Sequence, residues 1–93
     1  KLDQALEFTL KSLELKPDYH DALMNLGGIY IKLGMLDQAL AFTLKSLEIK
    51  PDYHDAYMNL GAIYFKKDQF KSAMAVLKKA LSLKKTSFEK IIF

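Results

Sequence analysis

The chain has 93 residues, 51% of them hydrophobic and 27% charged, with a net charge of +3 and no cysteine. That length allows a single domain burying about two thirds of its unfolded surface, so stability has to come from regular packing. The composition excludes a disordered chain as well as disulfide and thiolate chemistry.

No apolar run approaches the roughly 18–20 residues that span a bilayer, and the first residues lack the pattern of a secretion signal. No membrane association is expected, and the cytoplasm is the default location.

In chain order, the first element is a helix within residues 1–19 that stops before Pro17. A second helix opens after Pro17-Asp18, where proline cannot continue the preceding helix and Asp18 can accept hydrogen bonds from free N–H groups. It closes at Gly34, a residue suited to the left-handed conformation of a helix C-terminus. A third helix runs from about Leu36 to Ile49 and stops before Pro51. The fourth opens after Pro51-Asp52 and closes at Asp68, which takes the place of the glycine. A fifth follows with Phe70, Met74, Leu77 and Leu81 at helical spacing, and a break is expected near Thr86. There Thr86-x-x-Glu89 has the form of a capping box that would start a short last helix containing Phe88, Ile91 and Ile92.

These elements repeat. Shifting the chain by 34 residues aligns 2–32 with 36–66, and 26 of the 31 positions are identical; the exceptions are Glu7/Ala41, Leu15/Ile49, Leu23/Tyr57, Gly28/Ala62 and Ile31/Phe65. A fainter third copy aligns 36–49 with 70–83, where Ala73, Ala75, Lys79 and Leu81 keep the same residue. The units divide as residues 1–19 (second helix of a partial repeat), 20–53 and 54–87 (complete repeats) and 88–93 (start of a further or capping helix). In that register the array is expected to continue beyond both ends.

Within a unit, Leu23, Leu26, Gly27 and Tyr30 fall on one arc of the first helix, with Gly27 leaving room for a neighbouring backbone. On the second helix Leu36, Ala39, Leu40, Thr43 and Leu47 form one apolar side, which Phe42 and Ile49 widen past half the circumference. So wide an apolar arc needs two neighbours, its own partner and the first helix of the next unit. A lone hairpin cannot shelter it. The expected fold is all-α, a superhelical array of stacked antiparallel helix pairs with a concave face.

The motifs Leu23-x2-Leu26-Gly27-x2-Tyr30, Ala39-x3-Thr43 and Pro51, and again Tyr57-x2-Leu60-Gly61-x2-Tyr64 and Ala73-x3-Leu77, resemble the 34-residue unit of the tetratricopeptide repeat family, W-x2-L-G-x2-Y, A-x3-F and P. The resemblance covers essentially the whole chain and implies a tetratricopeptide-type helix-turn-helix solenoid. The departures are Leu or Tyr in the Trp slot, Thr9 and Thr43 where an aromatic is usual, and Lys85 at a proline position. Thr43 is expected to return its hydroxyl to a carbonyl one turn back, with Phe8 or Phe42 supplying the missing bulk.

Opposite the core arc, the first helix of each unit presents a polar stripe: Asp21, Asn25, Gly28 and Lys32, then Asp55, Asn59, Ala62 and Lys66. Met24 and Met58 flank it. In tetratricopeptide proteins the first helices line the concave groove, and an asparagine directly before Leu-Gly is similar to the asparagine ladder of the O-linked N-acetylglucosamine transferase repeats. That resemblance implies Asn25 and Asn59 as peptide contacts. An amide offers a donor and an acceptor together, matching the backbone of an extended peptide, and Lys32 and Lys66 could attract carboxylates. The plainer alternative is a hydrated helix face.

The expected function is therefore a protein–protein interaction scaffold binding an extended segment of a partner. The alternatives are end-to-end self-assembly through Leu2, Leu6 and Leu13 at one end and Phe88, Ile91, Ile92 and Phe93 at the other, or the substrate-presenting arm of a larger enzyme. No catalytic motif, metal site or cofactor is expected. His20 and His54 should stand exposed at successive helix starts, about 10 Å apart, too far for one shared metal ion. Residues 63–93 hold 8 Lys against 2 acids, but the chain has no Arg, the side chain best suited to reading phosphates and bases; nucleic acid is not an expected partner.

Overall fold

In the computed structural model, which describes the backbone of residues 1–92 and the side chains of residues 1–84, five helices follow one another: α1 (Leu2–Leu15), α2 (His20–Lys32), α3 (Leu36–Ile49), α4 (His54–Lys66) and α5 (Phe70–Ile92). The hairpins α2–α3 and α4–α5 hold the most extensive contacts; α4 also meets α2 and α3, whereas among the described residues α1 touches α2 alone. This is the expected all-α repeat array. Among the described residues, no helix is long and apolar enough to cross a membrane.

Both hairpins turn in the same way. Gly34 and Asp68 have φ of +78° and +61°. At the first turn Met35 N–H reaches Tyr30 C=O at 2.9 Å and Gly34 N–H reaches Ile31 C=O at 3.0 Å; at the second, Gln69 reaches Tyr64 at 2.8 Å and Asp68 reaches Phe65 at 3.1 Å. These paired bonds satisfy carbonyls that the ending helix leaves free. Aspartate accepts the left-handed conformation at moderate cost, so the turn survives the loss of glycine.

Between units, Tyr19 N–H bonds Lys16 C=O at 3.1 Å and Tyr53 N–H bonds Lys50 C=O at 3.2 Å, β-turns with proline in the second position. The helix caps are consequently Tyr19 and Tyr53, and neither α2 nor α4 has a side-chain cap bond. The expectation that Asp18 caps α2 is corrected: the turn places it one residue too early.

The core follows the predicted arc. Leu23, Leu26 and Gly27 are buried, joined by Ala22 and Ile29 on the flank of α2. They meet Ala39, Thr43 and Ser46 of α3, and Ala56, Leu60 and Ile63 of α4 lie against Ala73 and Ala80 of α5. Tyr30 stacks on Phe42 with ring centroids 5.6 Å apart and planes 10° from parallel. Phe42 thus supplies bulk beside Thr43 as expected, whereas Phe8 is 75% exposed.

Three further expectations are corrected. Thr43 Oγ1 is buried without a hydrogen-bond partner and does not bond back along its helix; its β-branched side chain is wedged against Gly27, where a Cβ would lie 2.3 Å from that oxygen. At the chain start Leu2, Leu6 and Leu13 are half-buried, while Phe8, Leu10 and Leu15 are exposed, because α1 lays the first three toward α2. The break near Thr86 does not occur: α5 continues to Ile92 with Thr86 and Glu89 inside it. Residues 70–92 contain no proline or glycine, and a capping box can begin a helix only where the preceding segment has already left one. The side chains of Phe88, Ile91 and Ile92, and all of Phe93, lie outside the described residues.

Candidate functional site

The first helices α2 and α4 run parallel as neighbours, and three groups of contacts fix how they sit. At their N-terminal ends the Tyr53 hydroxyl donates to Asp21 Oδ1, and the Tyr53 ring stands edge-on to His20 at a centroid distance of 5.1 Å. Half-way along, Asn59 Nδ2 donates to Met24 C=O at 2.9 Å. The third acts through α3, whose Ser46 hydroxyl donates to His20 C=O at 2.8 Å. Burial, then the Asp21 bond and the Asp21 and Asp55 charges, raise the Tyr53 phenol well above its usual range.

These contacts revise the reading of the histidines. Both are half-buried rather than exposed, His20 packed on Tyr53, and His54 within 3.2 Å of its neighbour Asp55.

The predicted stripe divides. Asn25 and Lys32 on α2, and Asp55, Met58 and Lys66 on α4, are exposed; Asp21, Met24, Gly28, Asn59 and Ala62 are half-buried. Asp21 and Asn59 both bond across the two helices, so one amide hydrogen of Asn59 is used inside the protein while its oxygen remains an acceptor. Gly28 lies beside that amide, where a Cβ would come within an ordinary contact distance of 3.9 Å from Asn59 Nδ2. Lys32 and Lys66 stand in the last turns of their helices, where a cation is favoured by the helix dipole.

A groove of about 630 Å³ opens beside this stripe, between α1 and α2. Met24, Asn25, Gly28 and Lys32 form one wall, so four predicted site residues converge there; Gln4, Ala5, Phe8 and Thr9 form the other. The α1 wall escaped sequence reasoning. Its signal was present in the 34-residue correspondence, since Ala5, Phe8 and Thr9 match Ala39, Phe42 and Thr43, which the adjoining α2 covers.

Across the repeat boundary, Lys67 Nζ lies 2.8 Å from Asp37 Oδ1. That hydrogen bond, and then the lysine charge, hold the Asp37 carboxyl below the usual carboxylate range. It ties the end of α4 to the start of α3.

Comparison with known proteins agrees with this architecture. No curated protein matches the sequence significantly. A crystal structure of MamA superposes with a TM-score of 0.84 at 28% identity, over 95% of this chain and 52% of that one; a second MamA crystal structure gives 0.78 at 28%, over 95% and 48%. A third MamA structure, at 24% identity, shares the fold with a TM-score of 0.82 over 94% of this chain and 50% of its own. The chain thus spans about half the length of these structures. The family model described as tetratricopeptide repeat matches residues 18–86. With the 34-residue unit, paired helices and Leu-Gly crossings already seen, the chain belongs to the tetratricopeptide repeat family, whose arrays act as scaffolds for protein–protein interaction.

Proposed function

We propose that this chain holds an extended segment of a partner protein along the face formed by α2 and α4. The observation that carries the reading is the repeated, exposed pair Lys32 and Lys66 at equivalent positions of two parallel helices, with Asn25 on one helix and Met58 on the other exposed beside them. Asn25 offers both hydrogen-bonding functions of its amide to a peptide backbone, Asn59 contributes its remaining oxygen, and the lysines take carboxylates. The methionines adapt to varied side chains.

Two neutral amide contacts contribute about 1–3 kcal/mol net, against roughly 8 kcal/mol for a micromolar complex. Binding by these two repeats is weak, and the lysines supply much of it.

The test is a titration of fluorescent acidic peptides with free C-terminal carboxylates against the wild type, Asn25→Ala and Lys32→Glu/Lys66→Glu. Asn25→Ala is expected to weaken binding about fivefold, and the lysine reversal to abolish it at low salt. Equal affinity for all three proteins removes the reading. A second reading, end-to-end self-association, draws on Phe8 at 75% and Leu15 at 89% exposure near one end and Leu81 at 68% near the other. Sedimentation equilibrium decides it, since a monomer at high concentration eliminates assembly.

A further inference from the structure

We propose that Phe65 is the specificity-determining residue of the face formed by α2 and α4, selecting a partner segment with a large apolar side chain, aromatic above all, next to the acid that pairs with Lys66. This role presupposes that the face holds a peptide. The charged and amide groups of the face come in equivalent pairs, Asp21/Asp55, Asn25/Asn59 and Lys32/Lys66. Pairs of like groups do not say which end of a bound segment lies on α2 and which on α4; that choice needs a difference in affinity between the two placements.

Three exchanges separate α2 from α4. Leu23 is in the core at 2% exposure, and its counterpart Tyr57 is half-buried, its hydroxyl donating to the Pro51 carbonyl in the turn before α4 at 3.2 Å. Gly28/Ala62 adds one methyl at a half-buried position. Ile31/Phe65 differs in kind: Ile31 is half-buried, whereas Phe65 is 63% exposed and stands edge-on to Phe70 with ring centroids 5.3 Å apart. Such a neighbour holds the ring and leaves part of its surface free. Met58, Ala62 and Phe65 follow at i, i+4 and i+7, so they line one side of α4, and the exposed Lys66 comes next. The apolar strip on α4 thus ends beside a cation, where α2 offers the exposed amide of Asn25.

These differences define what the segment carries. Neighbouring helices lie about 10 Å apart, a distance that an extended chain covers in about three residues, so acids three residues apart reach Lys32 and Lys66 together. A large apolar side chain next to one of those acids is buried against Phe65 when that acid sits on Lys66. With that acid on Lys32, it meets no exposed ring. An aromatic side chain gains further by packing on the Phe65 ring. One placement is therefore favoured, and the direction of the segment is set.

Three fluorescent peptides titrated against this chain supply the test. One has two acids three residues apart with serines between them, and the other two carry phenylalanine next to the first or the second acid. One phenylalanine peptide is expected to bind the wild type about fivefold or more tighter than the serine peptide, and the other within about twofold of it. Phe65→Ile, which gives α4 the residue that α2 has in that place, should remove the preference while the serine peptide's affinity and the circular dichroism spectrum stay unchanged. Equal binding of all three peptides to the wild type, or a preference that survives in Phe65→Ile, overturns the role of Phe65 and leaves the peptide-holding face standing. No binding by any of them removes that face, and the role of Phe65 with it.

Discussion

Where α2 crosses α3, Gly27 lies against Thr43; where α4 crosses α5, Gly61 lies against Leu77, whose Cδ2 would stand 2.5 Å from a Cβ on the glycine. The two repeats share most of their sequence from 20 to 32 and 54 to 66, yet what fills each crossing differs. Thr43 is short, branched and fully buried, with its hydroxyl unpartnered. Leu77 is half-buried and has a further rotatable bond. The same contrast holds one turn on, where Ser46 bonds the His20 carbonyl and Ala80, at the matching position, is fully buried. A close helix crossing therefore demands glycine on one side but tolerates either a rigid polar filler or a flexible apolar one on the other.

The comparison is broken most strongly at the glycines. In an open helix, Gly→Ala gains about 1 kcal/mol, whereas overpacking a core costs about 1–3 kcal/mol. At Gly27 the new methyl meets Thr43, and the Ala39 carbonyl is 3.3 Å away, neither of which can withdraw. Gly27→Ala is expected to destabilise by about 2 kcal/mol. Gly61→Ala should cost less than about 1 kcal/mol, since Leu77 can rotate aside. Urea midpoints of the two variants measure the difference, and equal losses would refute the distinction between the fillers.

Thr43→Val comes next and has the opposite sign. It keeps the shape and removes the buried hydroxyl that has no partner, so it should stabilise by about 1 kcal/mol. A smaller loss is expected from Ser46→Ala: about 0.5 kcal/mol, the lost hydrogen bond being partly offset by alanine's helix propensity. That corresponds to a melting temperature about 2–4 °C lower.

How legible this was depends on the period of the signal. The 34-residue correspondence, the Pro-Asp steps and the Leu-Gly pairs carried the hairpins, and α3 occupies the predicted Leu36–Ile49. The end of α5 was misread because a capping box is a local pattern, whereas helix continuation depends on the absence of breakers over the preceding turns. Thr43 was misread because its hydroxyl was assigned a partner on its own helix, when the deciding object was Gly27 on another. The stripe was legible as a surface, but the use of Asn59 and Asp21 in holding α2 to α4 was not. That depends on how closely two first helices approach, which the sequence of either helix alone leaves open.

The smallest effect expected is at Tyr53 and Tyr19, equivalent residues in successive units. Tyr53 reaches Asp21 of the preceding first helix, whereas the Tyr19 hydroxyl has no such partner among the described residues and Tyr19 is 37% exposed. Tyr53→Phe should cost less than about 1 kcal/mol at neutral pH, and Tyr19→Phe nothing measurable. The phenol of Tyr53 is raised in the folded state, so its contribution is complete below the ordinary tyrosine pKa of about 10. It falls as pH rises beyond that, because the unfolded chain releases a proton that the folded chain retains. The difference in melting temperature between wild type and Tyr53→Phe should accordingly shrink above about pH 10. A difference that stays constant through that range would mean that folded and unfolded chains release the phenol proton alike, and would overturn the raised Tyr53 phenol and the role of its bond to Asp21.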